Sequence, residues 1–173
     1  GTLSMQVAGI STNFNSAISI ASGATLDLTS SNTTKDNWRF DTAITGVAGS
    51  NITKNGAGWV QVQNSGGLAG FQGTLTINDG TFGNGFDLVG NWTGCTADVV
   101  VNGSGVLDLR TDDMSFDTLS GNGTVGNSYY LSEAFNTLTL GTGNGTATFI
   151  GNIRGAGGGA NDSSLDAGNI ALV

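Results

Sequence analysis

The residues best equipped for chemistry in this chain are a few aromatics and aspartates on a background of Gly, Asn, Ser and Thr. Trp59 and Gln61 alternate with Val60 and Val62, so a strand that turns the valines inward turns Trp59 and Gln61 outward. An exposed Trp on a rigid sheet can stack on the apolar face of a sugar ring. Trp92, in Gly-Asn-Trp-Thr-Gly, and the adjacent pair Tyr129-Tyr130, one of which faces out in any strand, extend this candidate carbohydrate platform. Trp38 alternates in phase with Phe40 and is expected in the core.

The acidic candidates are Asp108, Asp112 and Asp113, which with Asp117 crowd around Arg110. Hard oxygen donors at such spacing suit Ca²⁺, the one cofactor to consider. The competing reading is solvated turn aspartates: the Gly-Gly-x-Gly-x-Asp repetition of calcium-binding rolls is matched only once, near 157–162. Catalysis within this segment has little to stand on. The chain has no His, so neither Cys95 nor any Ser has its usual partner base. Hydrolases of sugars need clustered carboxylates, whereas Asp112 and Asp113 point oppositely in a strand. Cys95 is alone, which excludes a disulfide framework and fits a small apolar residue in a core. No Gly-rich stretch is followed by the Lys-Ser/Thr and helix of a phosphate loop.

The elements that must position these residues are strands. Of 173 residues, 30 are Gly and none is Pro, which argues against collagen and Pro-rich linkers, while 38% hydrophobic content argues against a disordered chain. Thirteen acidic residues stand against five basic ones, net −8, and the basic ones are scattered. That distribution excludes a nucleic-acid surface and an anionic-membrane surface. No apolar run is long enough to span a membrane. Period-two alternation recurs at 24–28, 59–62, 74–77, 106–109 and 137–140, separated by turn clusters such as Asn78-Asp79-Gly80, Asn102-Gly103 and Asn122-Gly123. Helical periodicity is absent. The strands are short and self-similar: Gly-Thr-Leu-Thr-Ile-Asn-Asp-Gly at 73–80 answers Gly-Ala-Thr-Leu-Asp-Leu-Thr-Ser at 23–30 and Gly-Val-Leu-Asp-Leu-Arg at 105–110. Such repetition predicts an all-β, right-handed parallel β-helix over residues 1–173, a single solenoid domain. At 20–25 residues per coil it would have about seven or eight coils and be roughly 35 Å long. Residues 81–104 fit the pattern poorly, and Trp92 to Asp98 are expected to form a loop or an irregular coil.

The stretch 52–80 carries a more specific signal. It reads Ile52-Thr53-Lys54-Asn55-Gly56-Ala57-Gly58, then the strand 59–62, then Phe71-Gln72-Gly73 and a second strand ending in Gly80. This closely resembles the passenger-associated transport repeat of autotransporter-type proteins. The resemblance implies a secreted or cell-surface solenoid serving as an adhesin, a stalk or a carrier for an enzyme placed elsewhere. Neither end reads as a polar cap, so a fragment of a longer repeat chain, or end-to-end stacking on neighbouring repeats or subunits, is the expectation. The leading functional reading is a structural or adhesive extracellular solenoid whose partners are glycans or a host surface, with no nucleic acid and no membrane insertion. Its alternative is a carbohydrate-binding module attached to a polysaccharide-active enzyme.

Overall fold

The computed structural model describes residues 1–8, 12–34, 38–63, 67–85, 92–110, 112–128, 135–154 and 169–173. Among these there is no helix; the chain folds into β1 (Thr2–Val7), β2 (Thr12–Phe14), β3 (Ile18–Ile20), β4 (Thr25–Ser30), β5 (Trp38–Phe40), β6 (Ile44–Gly46), β7 (Asn51–Asn55), β8 (Trp59–Val62), β9 (Thr74–Asn84), β10 (Asp98–Asp108), β11 (Met114–Ser115), β12 (Thr118–Gly121), β13 (Thr124–Gly126), β14 (Phe135–Thr139), β15 (Asn152–Ile153) and β16 (Asn169–Leu172). Every pairing between them is parallel, and strands pair with the equivalent strand one coil away. The fold is a parallel β-helix of about five turns.

Three faces result. The first stacks β1, β4, β7, the first half of β9, the first half of β10, and β12. The second stacks β2, β5, β8, the second halves of β9 and β10, then β13 and β15. The third is built from β3 and β6 in the early coils and β11, β14 and β16 in the later ones. Thr2 aligns with Thr25, then Asn51, Thr74, Asp98 and Thr118, so successive coils advance by 23, 26, 23, 24 and 20 residues. The coil lengths match the expected 20–25 residues closely, while the described residues form about five turns and not the seven or eight expected. Within the poorly fitting stretch, 92–97 are turn and coil as expected, whereas 81–84 and 98–104 lie inside β9 and β10, which run through the corner between the first and second faces with a register shift at Val101–Ser104.

Alternation explains the core. On the first face one inward column is Leu26, Ile52, Leu75, Val99 and Leu119, all buried. On the second, Val60, Phe82, Leu107 and Val125 stack. Trp38 and Phe40 are fully buried beside them, with Phe40 stacked on Phe14 at 5.3 Å between centroids. Each such side chain contributes about 1.5–3 kcal/mol by leaving water. Stacking identical positions means that no coil buries its own apolar face; the next coil does.

Candidate functional site

Among the described residues, Trp59 is the one predicted platform residue that stays partly open. It is half-buried at the start of β8, with Val60 and Val62 fully buried behind it as alternation requires. The Arg110 guanidinium carbon lies 6.0 Å from its ring centroid, a cation–π arrangement worth about 0.5–2 kcal/mol. Arg110 is itself buried and takes a positive φ of 52° just after β10.

Gln61 is not an exposed partner for Trp59. It points to the outer side, yet it is fully buried. Its Nε2 donates to Asn84 O at 3.4 Å, and its Oε1 has no hydrogen-bond partner among the described residues. The reason is collective. Gln61, Gly83, Asp108 and Gly126 form one outward column of the second face, and all four are buried. Ser128 lies over that column and donates its N–H at 2.9 Å, and its hydroxyl, to the Asp108 carboxylate. Trp92 is likewise no platform: it is buried, packs 6.4 Å from Phe116, and donates its indole N–H to Asn84 Oδ1 at 2.8 Å. Asn84 in turn donates to Leu109 O, so Trp92 closes a buried polar chain instead of offering a ring to solvent. Tyr129 and Tyr130 lie outside the described residues.

The aspartates are also employed locally. Asp108 serves Ser128; Asp112 Oδ1 accepts from the Asp113 N–H; Asp113 Oδ1 accepts from the Thr137 N–H at 2.6 Å. Burial raises the Asp112 carboxyl above the usual carboxylate range, opposed by its backbone hydrogen bond to Asp113. Asp117 Oδ1 receives the N–H groups of both Gly143 and Gly145 at 2.8 Å. Among the described residues no group of three or more His, Cys, Asp or Glu is gathered for a metal ion. The structure therefore does not assemble Asp108, Asp112 and Asp113 into a Ca²⁺ site.

Two features escaped the sequence reading. The first is Lys54, which is fully buried in the inward column Leu28–Lys54–Ile77. Its Nζ donates to Gly56 O at 2.6 Å, Asp79 O at 2.8 Å and Asn55 O at 3.0 Å, tying the corner of its own coil to the next. Burial lowers its pKa to about 8, against the pull of the Asp79 charge. Its position was readable, since it shares the inward phase of Ile52 in β7. The second is a ladder of amides along the same corner. Asn55 Nδ2 donates to Asp27 Oδ1 at 2.8 Å, Asn78 Nδ2 to Asn55 Oδ1 at 3.0 Å, and Asn102 Nδ2 to Asn78 Oδ1 at 3.0 Å. Asn122 Oδ1 continues the line by accepting from the Gly103 N–H at 2.8 Å. The recurrence of Asn at the corresponding point of each coil was the available signal. Beside this ladder the outward positions of the first face carry Thr25, Asn51, Thr74, Asp98 and Thr118 in register, so one side of the rod is a repeating polar surface.

Cys95 is fully buried and unpaired, and burial pushes its thiol up to about 11, outweighing the backbone hydrogen bond at Ala97 that favours the thiolate. It is a core residue. Compared with the models of known protein families, with curated proteins and with solved structures, the chain gives no match.

Proposed function

We propose that this chain is a structural and adhesive β-solenoid segment that acts outside the cell or at its surface, as part of an autotransporter-like passenger region. The observation that carries the reading is the polar first face, where Thr and Asn repeat in register from coil to coil while the residues best suited to chemistry are occupied in packing. A rigid array of repeated hydroxyls and amides suits contact with an extended, repetitive surface such as a glycan. Exposed Leu3 on the edge strand β1 suits the stacking of a neighbouring coil or subunit. The test immobilises the purified chain and measures its retention of glycan arrays and of extracellular matrix. Retention that survives Trp59→Ala supports adhesion through the repeating face. No retention of any such surface overturns the reading.

A second reading keeps Trp59 as a single-residue sugar platform, favoured by its partial exposure beside the Arg110 cation. It requires that Trp59→Ala abolish glycan binding and leave the melting temperature near that of the wild type.

A further inference from the structure

Five Asn-Gly dipeptides occur in the chain, at 55–56, 84–85, 102–103, 122–123 and 144–145. An Asn followed by Gly can cyclise, because Gly offers no side chain to shield its nitrogen. The attacking group is the Gly amide nitrogen, so a hydrogen bond that holds its N–H restrains the reaction. Four of the five amides are held in this way. Gly85 donates to Val62 O at 3.2 Å, Gly123 to Val101 O at 2.8 Å, Gly103 to Asn122 Oδ1 at 2.8 Å, and Gly145 to Asp117 Oδ1 at 2.8 Å. The Gly56 N–H makes no such bond among the described residues.

The Asn55–Gly56 link also has two activating contacts. The Lys54 ammonium donates to Asn55 O at 3.0 Å, the carbonyl of the same peptide unit as the Gly56 nitrogen. A cation there withdraws electrons from the amide and acidifies its N–H. Asn78 Nδ2 donates to Asn55 Oδ1 at 3.0 Å, polarising the side-chain carbonyl under attack and supporting the oxyanion that attack creates. Asp27 Oδ1 accepts from Asn55 Nδ2 at 2.8 Å, which sets the orientation of the side-chain amide without activating it.

We propose that Asn55 is a self-modification site, where the folded corner promotes conversion of the amide to aspartate and isoaspartate. The Gly56 nitrogen bonds to Asn55 Cγ, its proton passes to the departing nitrogen, and the Cγ–Nδ2 bond breaks to release ammonia. Water then opens the five-membered imide at either carbonyl. The product places a new carboxylate against Asp27 and removes the donor that joins this pair, so the ladder opens between the second and third coils.

The experiment is peptide mapping of the full chain aged in mildly alkaline buffer, folded and in parallel unfolded in urea. The expected result is conversion at Asn55 several-fold faster than at each of the other four sites in the folded chain, with comparable rates at all five in urea. Asn78→Ala, which truncates a solvent-exposed side chain, is expected to slow the folded-state rate several-fold. Equal or slower conversion at Asn55 than at Asn102 and Asn122 in the folded chain overturns the proposal. So does an Asn55 rate that Asn78→Ala leaves unchanged.

Discussion

Replacing Lys54 by Met isolates the energetics of a cation inside the apolar column. Met has similar length and volume, so Leu28 and Ile77 keep a packing partner, while Asn55 O, Gly56 O and Asp79 O lose a charged donor. Hydrogen bonds to a charged group contribute about 1.5–3 kcal/mol each before the ammonium's desolvation, which costs several kcal/mol, is set against them. Near neutral pH the variant is expected to be less stable by about 1–3 kcal/mol. The sharper expectation concerns pH. The folded-state pKa of Lys54 is lowered to about 8, against 10.5 for the free side chain. Below pH 8 both states hold the proton and the folded state bears the full cost of burying it. Between 8 and 10.5 the folded chain releases the proton while the unfolded chain keeps it, so stability rises with pH. At ~1.36 kcal/mol per pH unit the ceiling is about 3 kcal/mol. Asp79 and Gly56 are half-exposed, so solvent screens the site, and about 1–2 kcal/mol is expected. Cys95 works in the opposite sense, because its raised pKa makes the unfolded chain ionise first above pH 9.0. Urea unfolding of wild type and Lys54→Met at pH 7 and pH 10 cancels that term in the difference. The difference should widen by ~1–2 kcal/mol at the higher pH. A constant or narrowing difference would refute the reasoning and show that the three carbonyls hold the ammonium near its ordinary pKa.

Other expectations follow from single contacts. Gly80 has φ 65°, and a Cβ there would sit 2.4 Å from both Gly56 O and Gly58 O, so Gly80→Ala should cost about 2–4 kcal/mol, read by urea unfolding. Trp92→Phe leaves the buried Asn84 Oδ1 without its donor and should cost about 1–3 kcal/mol, visible as a lowered melting temperature. The Cys95 thiol should resist an aromatic disulfide reagent in the native chain and react at once in denaturant; rapid native labelling would contradict its burial.

Local pattern carried much of the fold. Alternation in 24–28, 59–62 and 74–77 placed Leu26, Leu28, Val60, Val62, Leu75 and Ile77 inside, where they are, and the phase of Trp38 with Phe40 placed both in the core. The candidate site was legible only in part, for a physical reason. Alternation says which side of a strand a residue occupies, not what lies over that side. Gln61 is on the predicted side and is still buried, with its Nε2 donating to Asn84 O of the next coil, a partner that alternation along β8 does not reveal. Trp92 was hidden for another reason: its partner Asn84 ends β9 on the second face of the same coil, and the bond between them depends on the turn at 92–95. Lys54 failed in the opposite way. A charged residue in an inward phase reads as an exception, and only the three carbonyls converging from two coils make it admissible.

The exclusively parallel pairing has a mechanical consequence. Backbone hydrogen bonds between coils run along the rod, and the Asn ladder runs with them, so a pull on the axis loads every bond of one interface together. Each interface touches only its neighbours, so a defect in one weakens that junction and leaves distant ones at full strength. A rod joined in this way yields at its weakest junction, and the interfaces around Lys54, bound by backbone, ammonium and amide at once, should be among the last to part.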